Sequence, residues 1–277
     1  MLLNATYLLE LYKDMPNIDP NTTFVEILHN ISENHYTRQL KKFRETYNTQ
    51  KTWSVSASEV NAFYSSVDDK VEIPWGLLQS PFYQHGLPRS LNFGGIGTRI
   101  GYELGHAVGS TGIYKSTHQK SNLQLENGTR LELETKERCF ITQYGKITIK
   151  IPEYFASPNI NGRRTLEDNV ADNLGLQAAF SAYLKLLKED CDNTDTRLQG
   201  LQQFSGEQLF LLGNAMAFCK HWDSYDLWTY TSYRSQQSPP QYRVNMPYKN
   251  LEAFATAFNC TKNQANNLEQ TETCKLW

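Results

Sequence analysis

The chain has 277 residues, 39% of them hydrophobic and 12% aromatic, with a formal net charge of -2 at pH 7. That length holds one large domain or two small ones, and the apolar content is enough for a sizeable core. The near-neutral charge gives no reason to propose a nucleic-acid partner, and no apolar run approaches the ~20 residues of a membrane span, so no transmembrane segment is expected.

Residues 1–50 read as helical, with Leu28, Ile31, Leu40 and Phe43 at helix-like spacing. The opening MLLNATYLLELYKDM lacks a basic leader and carries Glu10 and Asp14, so it is not read as a signal peptide. Between residues 55 and 79 two alternating runs flank Ser66-Val67-Asp68-Asp69, which predicts a hairpin. Gly94, Gly95 and Gly97 predict a glycine-rich turn leading into a helix from Ile96 to Val108. ELETKERCF predicts an amphipathic helix, ITIKI (147–151) a short strand, and Pro152–Arg164 a loop. A long helix should start at Thr165, a good N-cap with Glu167 and Asp168 in its first turn. A second helix covers Ser205–Lys220. Pro239, Pro240 and Pro247 predict an extended or turning segment from Ser235 to Pro247, and NLEAFATAF a last helix. The apolar residues of LGLQAAFSAYLKLL are read as core.

None of the five cysteines (139, 191, 219, 260 and 274) sits in a C-x-x-C pair, which argues against a zinc knuckle or thioredoxin-like site. The odd count leaves at least one free or paired outside the chain. Five N-x-S/T sequons, at Asn4, Asn21, Asn30, Asn127 and Asn259, favour a glycosylated, secreted or ectodomain setting.

The chemistry centres on Tyr102-Glu103-Leu104-Gly105-His106. Positions four apart share one helix face. Histidines at both ends with glutamate after the first would make the zinc-peptidase signature H-E-x-x-H. Here the first is tyrosine. Taken singly, each candidate also has a plain reading. His106 can be a structural histidine, Glu103 and Asp168 solvated helix charges, Asn61 the end of a strand, Arg243 a surface ion pair. His29, His35, His85, His118 and His221 lie outside ligand spacing, although His118 and His221 can still approach the cleft in three dimensions.

Six ordered blocks carry a resemblance: VNAFY (60–64), IPWGLLQSPFY (73–83), SLNFGGIG (90–97), DNVADNLGL (168–176), SPPQYRVNMP (238–247) and CKLW (274–277). Together they resemble the C-terminal catalytic region of the neprilysin and endothelin-converting-enzyme family of zinc metallopeptidases. The resemblance implies a mostly α fold with a small β-sheet, a zincin (thermolysin-like) lobe. It covers 55–277 within a single domain of 1–277, with 1–54 as a helical lead-in and the family's N-terminal lobe absent. That lobe then becomes a possible separate partner, and the setting an extracellular or membrane-associated ectodomain.

In the family two histidines and a glutamate bind zinc, the H-E-x-x-H glutamate deprotonates the zinc-bound water (pKa ~7), and a histidine before S-P stabilises the intermediate. Carried over by position, the metal ligands fall at Tyr102, His106 and Asp168. The general base falls at Glu103, the ligand-orienting carboxylate at Asp172, and the stabilising histidine at Gln237. One ligand is thus replaced, a second shortened, and the stabilising cation has become an amide. The peptide-gripping positions, Asn61, Ala62 and Arg243, are intact. The resemblance also pairs Cys139 with Cys274 and leaves Cys219 and Cys260 without the partners they have in the family. The expectation is a pseudopeptidase that binds zinc weakly or not at all while retaining peptide or partner binding. The rivals are an active zinc metalloendopeptidase with a rearranged site, and a structural fragment of a longer product.

Overall fold

Helices dominate the computed structural model, which describes residues 5–44, 53–109, 112–113, 126–151, 157–232, 235–260 and 273–276. Two compact units emerge, Met1–Trp53 and Ser54–Trp277. In the first, α1 (Ala5–Tyr12) is followed by α2 (Phe24–Lys42), which starts on a capping box between Thr23 and Glu26. The α2 side chains Asn34 and Arg38 both donate to the Leu11 carbonyl near the end of α1, at 3.1 and 2.7 Å.

In the second unit the expected hairpin forms from β1 (Phe63–Ser65) and β2 (Lys70–Glu72), antiparallel, with Phe63 opposite Glu72 and Ser65 opposite Lys70. Asp69 closes the turn at φ 49°, a left-handed conformation that aspartate tolerates. Lys70 pairs with the buried Glu72 carboxylate at 2.8 Å, and the Ser54 N–H donates to the same carboxylate at 3.0 Å.

The glycine-rich stretch is not the predicted turn. A short α3 (Arg89–Asn92) passes through one π-helical segment, Phe93–Gly97, directly into α4 (Thr98–Val108). The glycines serve close approach instead: a Cβ on Gly94 would lie 2.0 Å from the Phe210 carbonyl oxygen. The same principle governs the central crossing. α6 (Leu166–Asp190) runs against α4 with backbones in contact. A Cβ on Gly101 would come 2.6 Å from the Gly175 oxygen, and one on Gly105 would come 2.9 Å from Ala171 Cα. Two small residues four apart on each helix therefore let the axes close up, and side chains flanking the crossing meet across it.

α6 is the spine between two cores. One gathers Phe140 and Tyr144 of α5 (Asn127–Gly145) with Ile149, Ile151, Ile160, Val170 and Leu276. The other packs Phe180 and Tyr183 against Phe210 of α7 (Gly206–Met216) and Tyr248 of α9 (Pro240–Asn250). Ser205 caps α7 through a capping box with Gln208. Cys139 and Cys274 are joined by a disulfide, Cα atoms 5.7 Å apart, across a separation of 135 residues. Beside it the buried amides of Gln143 and Asn250 bond reciprocally at 2.7 and 3.0 Å, and Asn250 also accepts the Cys274 N–H.

Three further expectations are corrected. Thr165 precedes α6 but does not cap it; its hydroxyl donates to the Asn161 carbonyl and accepts from the Asn169 amide. ITIKI (147–151) makes only an isolated bridge, Thr148 to Asn159, although Ile149 and Ile151 are both buried as a strand would place them. The proline-rich segment from 239 is helical: Pro240 occupies the first position of α9, where no N–H is required, and Pro247 is accommodated within the same helix. A further helix, α8 (Ser224–Ser232), opens on the Asp223 carboxylate accepting the Asp226 N–H. The last predicted helix forms as α10 (Glu252–Ala257).

Candidate functional site

A cleft of about 750 Å³ opens between β1, α4, the start of α6 and the 235–243 segment. Because α4 and α6 touch at Gly101 and Gly175, the Tyr102 ring reaches the first turn of α6, where its hydroxyl donates to Asp168 Oδ1 in a short hydrogen bond. Gln237 completes the arrangement. Its Nε2 donates to the same Asp168 oxygen at 3.0 Å and lies 3.3 Å from the Tyr102 hydroxyl. Its Oε1 accepts from Arg243 Nη1 at 3.0 Å. Arg243 in turn holds Asp172 through Nε and Nη2 at 2.7 and 2.8 Å, a two-pronged, buried ion pair. The guanidinium also sits 4.9 Å above the centre of the Tyr102 ring.

Gln237 is held by its neighbours rather than by chance. Its N–H donates to the Ser235 hydroxyl, and Ser238, fully buried, donates to Asn169 Oδ1 on α6 at 2.7 Å. The D-N-V-A-D run read from the sequence (168–172) thus gains a use for its second polar residue. Asp168 faces the cleft and Asp172 holds Arg243 behind it, while Asn169 pins the loop that carries Gln237.

The electrostatics follow from burial. Tyr102 is 8% exposed, and desolvation first, then nearby carboxylates, push its phenol above the ordinary value despite Arg243, so it keeps its proton at neutral pH. Glu103, 5% exposed, is pushed up to about 7, chiefly by burial; the Tyr64 backbone N–H and Arg99 pull the other way. Burial lowers His106 below the ordinary imidazole value, against the pull of Asp168 and Asp172. Its ring meets the Tyr102 ring edge-on at 4.6 Å. For Arg243, burial opposes the charge, but Asp172 outweighs it and holds the guanidinium protonated.

Tyr102, Glu103, His106, Asp168, Gln237, Arg243, Asn61 and Ala62 all border this one cleft. Asp172 lies behind it with both oxygens on Arg243, so it is not oriented toward a ligand histidine. Arg243 is correspondingly no surface ion pair: it is 8% exposed. His221 lines a separate cavity with Trp222 and Tyr242. His118 falls outside the described residues. Sequence reading passed over Arg99, three positions before Tyr102, and Phe218, on which Arg99 stacks at 4.2 Å. The available signal was a lone arginine in the otherwise uncharged run S-L-N-F-G-G-I-G-T-R-I-G.

Among the described residues, no group of three or more His, Cys, Asp or Glu side chains is arranged to hold a metal ion. Nor, among them, is any helix long and apolar enough to cross a membrane.

Comparison with known proteins matches residues 61–274 to the model of peptidase family M13. The chain is 33% identical over 248 residues to mouse membrane metallo-endopeptidase-like 1, covering 88% of this chain and 31% of that protein. It is 31% identical over 278 residues to an endothelin-converting enzyme homolog of Locusta migratoria, covering all of this chain and 36% of the relative. The open state of the Mycobacterium tuberculosis zinc metalloprotease Zmp1 superposes with a TM-score of 0.80 at 25% identity, covering 96% of this chain and 40% of that one. The chain thus spans about a third of the length of the curated relatives it matches. With the blocks in order, the helical lobe and its hairpin in place, and that similarity over most of its length, the chain belongs to peptidase family M13, the neprilysin and endothelin-converting-enzyme family of zinc metallopeptidases.

Proposed function

We propose that this chain is a pseudopeptidase: a lobe that no longer hydrolyses peptides through zinc and retains the groove that holds them. The observation that carries the reading is the bonding of Tyr102, Asp168 and Gln237 to one another. These are the positions where the family places a zinc histidine, a zinc carboxylate and the stabilising histidine. A zinc ion needs lone pairs pointing into open space. Here the phenol is protonated and directed at Asp168, and Gln237 donates to the same carboxylate oxygen. His106 keeps the family's ligand residue, and Asp168 keeps a carboxylate one methylene shorter. The donor set does not fit zinc, and no hydrolytic step is derived through it.

The groove has its own support. β1 pairs with β2 on one side, and residues 61–64 border the cleft, so an extended peptide can add along that stretch as it does at other sheet edges. Asn61 is exposed there, and Arg243 keeps N–H groups beyond those used by Asp172 and Gln237. The rival reading, an active zinc metalloendopeptidase with a rearranged site, draws on Glu103, whose carboxyl near 7 suits a general base.

Calorimetric titration of the purified chain with zinc at neutral pH tests both. The expected result is no tight site. A one-to-one submicromolar isotherm that disappears in His106→Ala would favour the active enzyme and refute the pseudopeptidase. Peptide retention is tested separately: a weak apolar-peptide binder should lose affinity in Asn61→Ala with Arg243→Ala.

A further inference from the structure

Two arginines reach the cleft region, and they are in opposite situations. Arg243 has a counter-ion: it bonds both oxygens of Asp172, donates to the Gln237 side-chain oxygen and lies over the Tyr102 ring. Arg99 has no counter-ion in contact. It projects from the first turn of α4 into the cleft wall, stacked 4.2 Å from the Phe218 ring centre and 5.6 Å from that of Phe82. Its Nη2 reaches the Ala217 carbonyl only at 3.5 Å. Its Nε is buried with no hydrogen-bond partner. Among the described residues no carboxylate stands within ion-pair distance of it.

The nearby carboxylates are already committed. Asp172 belongs to Arg243, and Asp168 to Tyr102 and Gln237. Glu103, one turn along α4, accepts the Tyr64 N–H. Glu167 at the rim is exposed to water. Burial first, then Arg243, lowers the Arg99 guanidinium to about 10, which still leaves it charged at neutral pH. Asp172 and Glu103 act on it only from beyond ion-pair distance, and a desolvated cation with no direct carboxylate contact is unfavourable in the empty protein, so an incoming anion relieves it. The guanidinium fork, with its centre 4.2 Å from the Phe218 ring and 5.6 Å from the Phe82 ring, matches the two oxygens of a carboxylate.

We propose that Arg99 makes this cleft selective for peptides presenting a carboxylate, either an acidic side chain or the C-terminus, against α4. The inference rests on the peptide-groove reading above and adds the chemical class of the ligand. Phe82 and Phe218 contribute by fixing the guanidinium plane, so the anion is recognised by a preorganised group rather than by a mobile surface charge.

The test uses the full chain and a blocked apolar hexapeptide in which one glutamate is stepped through each position, together with the unblocked free-acid form of the parent peptide. Binding is read by calorimetry. One glutamate position, or the free acid, should bind at least tenfold more tightly than the blocked parent, and which of them gains identifies the source of the carboxylate. Arg99→Met should bring that ratio to about one, and Arg99→Lys, which keeps charge but loses the fork, should retain part of it. If glutamate brings no gain at any position and the free acid none either, while the blocked parent still binds in an Asn61-dependent way, Arg99 is a packing residue and the selectivity is refuted with the groove intact. If no peptide binds at all, the groove reading fails first and takes this inference with it.

Discussion

Tyr102→Phe isolates the one interaction on which the functional reading depends. The substitution removes the hydroxyl and nothing else; the ring keeps its edge contact with His106 and its place under Arg243. Asp168, 9% exposed, then has only the Gln237 amide, at 3.0 Å, on the oxygen that held both. A hydrogen bond to a buried charged group contributes about 1.5–3 kcal/mol, and that is the expected loss of stability. For a chain of this size it corresponds to a melting temperature lower by roughly 3–5 °C. Urea unfolding in chelator-treated buffer measures it, with Asp168→Ala and the double variant completing a cycle. The coupling energy should exceed about 1 kcal/mol, since the two groups share a bond. Added chelator should leave the unfolding midpoint of the parent unchanged. The reasoning is refuted if Tyr102→Phe is within about 0.5 kcal/mol of the parent, the size of an ordinary surface change. It is equally refuted if chelator destabilises the parent and that effect vanishes in Tyr102→Phe, the behaviour of a metal ligand.

Glu103 titrates in the folded chain near 7 against an ordinary value near 4.5, so between those limits the folded state binds the extra proton. Its contribution to stability therefore falls as pH rises through that window, by up to about 3 kcal/mol, and Glu103→Gln should flatten the difference in urea midpoints between pH 4.5 and pH 8. Tyr102→His combined with Asp168→Glu should raise zinc affinity at least tenfold in calorimetry, and neither substitution alone should do so, because each leaves the other's oxygen in the way. Cys139→Ser removes a bridge closing a loop of 135 residues and should cost up to about 5 kcal/mol by chain entropy, read from urea midpoints under oxidising conditions.

The sequence disclosed the fold through its periodic helices and its ordered blocks, and the site through the spacing of Tyr102, Glu103 and His106. What it concealed has common physical causes. Glycines look alike whether they turn a chain or let two helices touch, so Gly94 and Gly95 read as a turn when they lie in a continuous helical run. Prolines look like breakers, although Pro240 stands at the one helix position where it is well suited. Arg99 carried no spacing signal, because its significance lies in what is missing around it, and a missing counter-ion exists only in three dimensions.

The same limit bears on Tyr102, Asp168 and Gln237. In sequence they are three separate departures, 66 and 69 residues apart, each a loss when set beside the family's zinc chemistry. In space they are one unit, and their sizes are matched. A phenol carries its oxygen further from the backbone than an imidazole carries its nitrogen, and aspartate ends one methylene short of glutamate. The longer side chain on α4 therefore meets the shorter one on α6 in hydrogen-bond contact. An imidazolium at position 237 would compete with the phenol for that carboxylate as a cation; the amide instead donates to Asp168 and accepts from Arg243, joining the two halves of the network without adding charge. Each replacement made alone would strand a buried polar group, whereas the three together satisfy one another. On the pseudopeptidase reading proposed above, that mutual dependence distinguishes a site rebuilt for binding or stability from piecemeal loss of single residues.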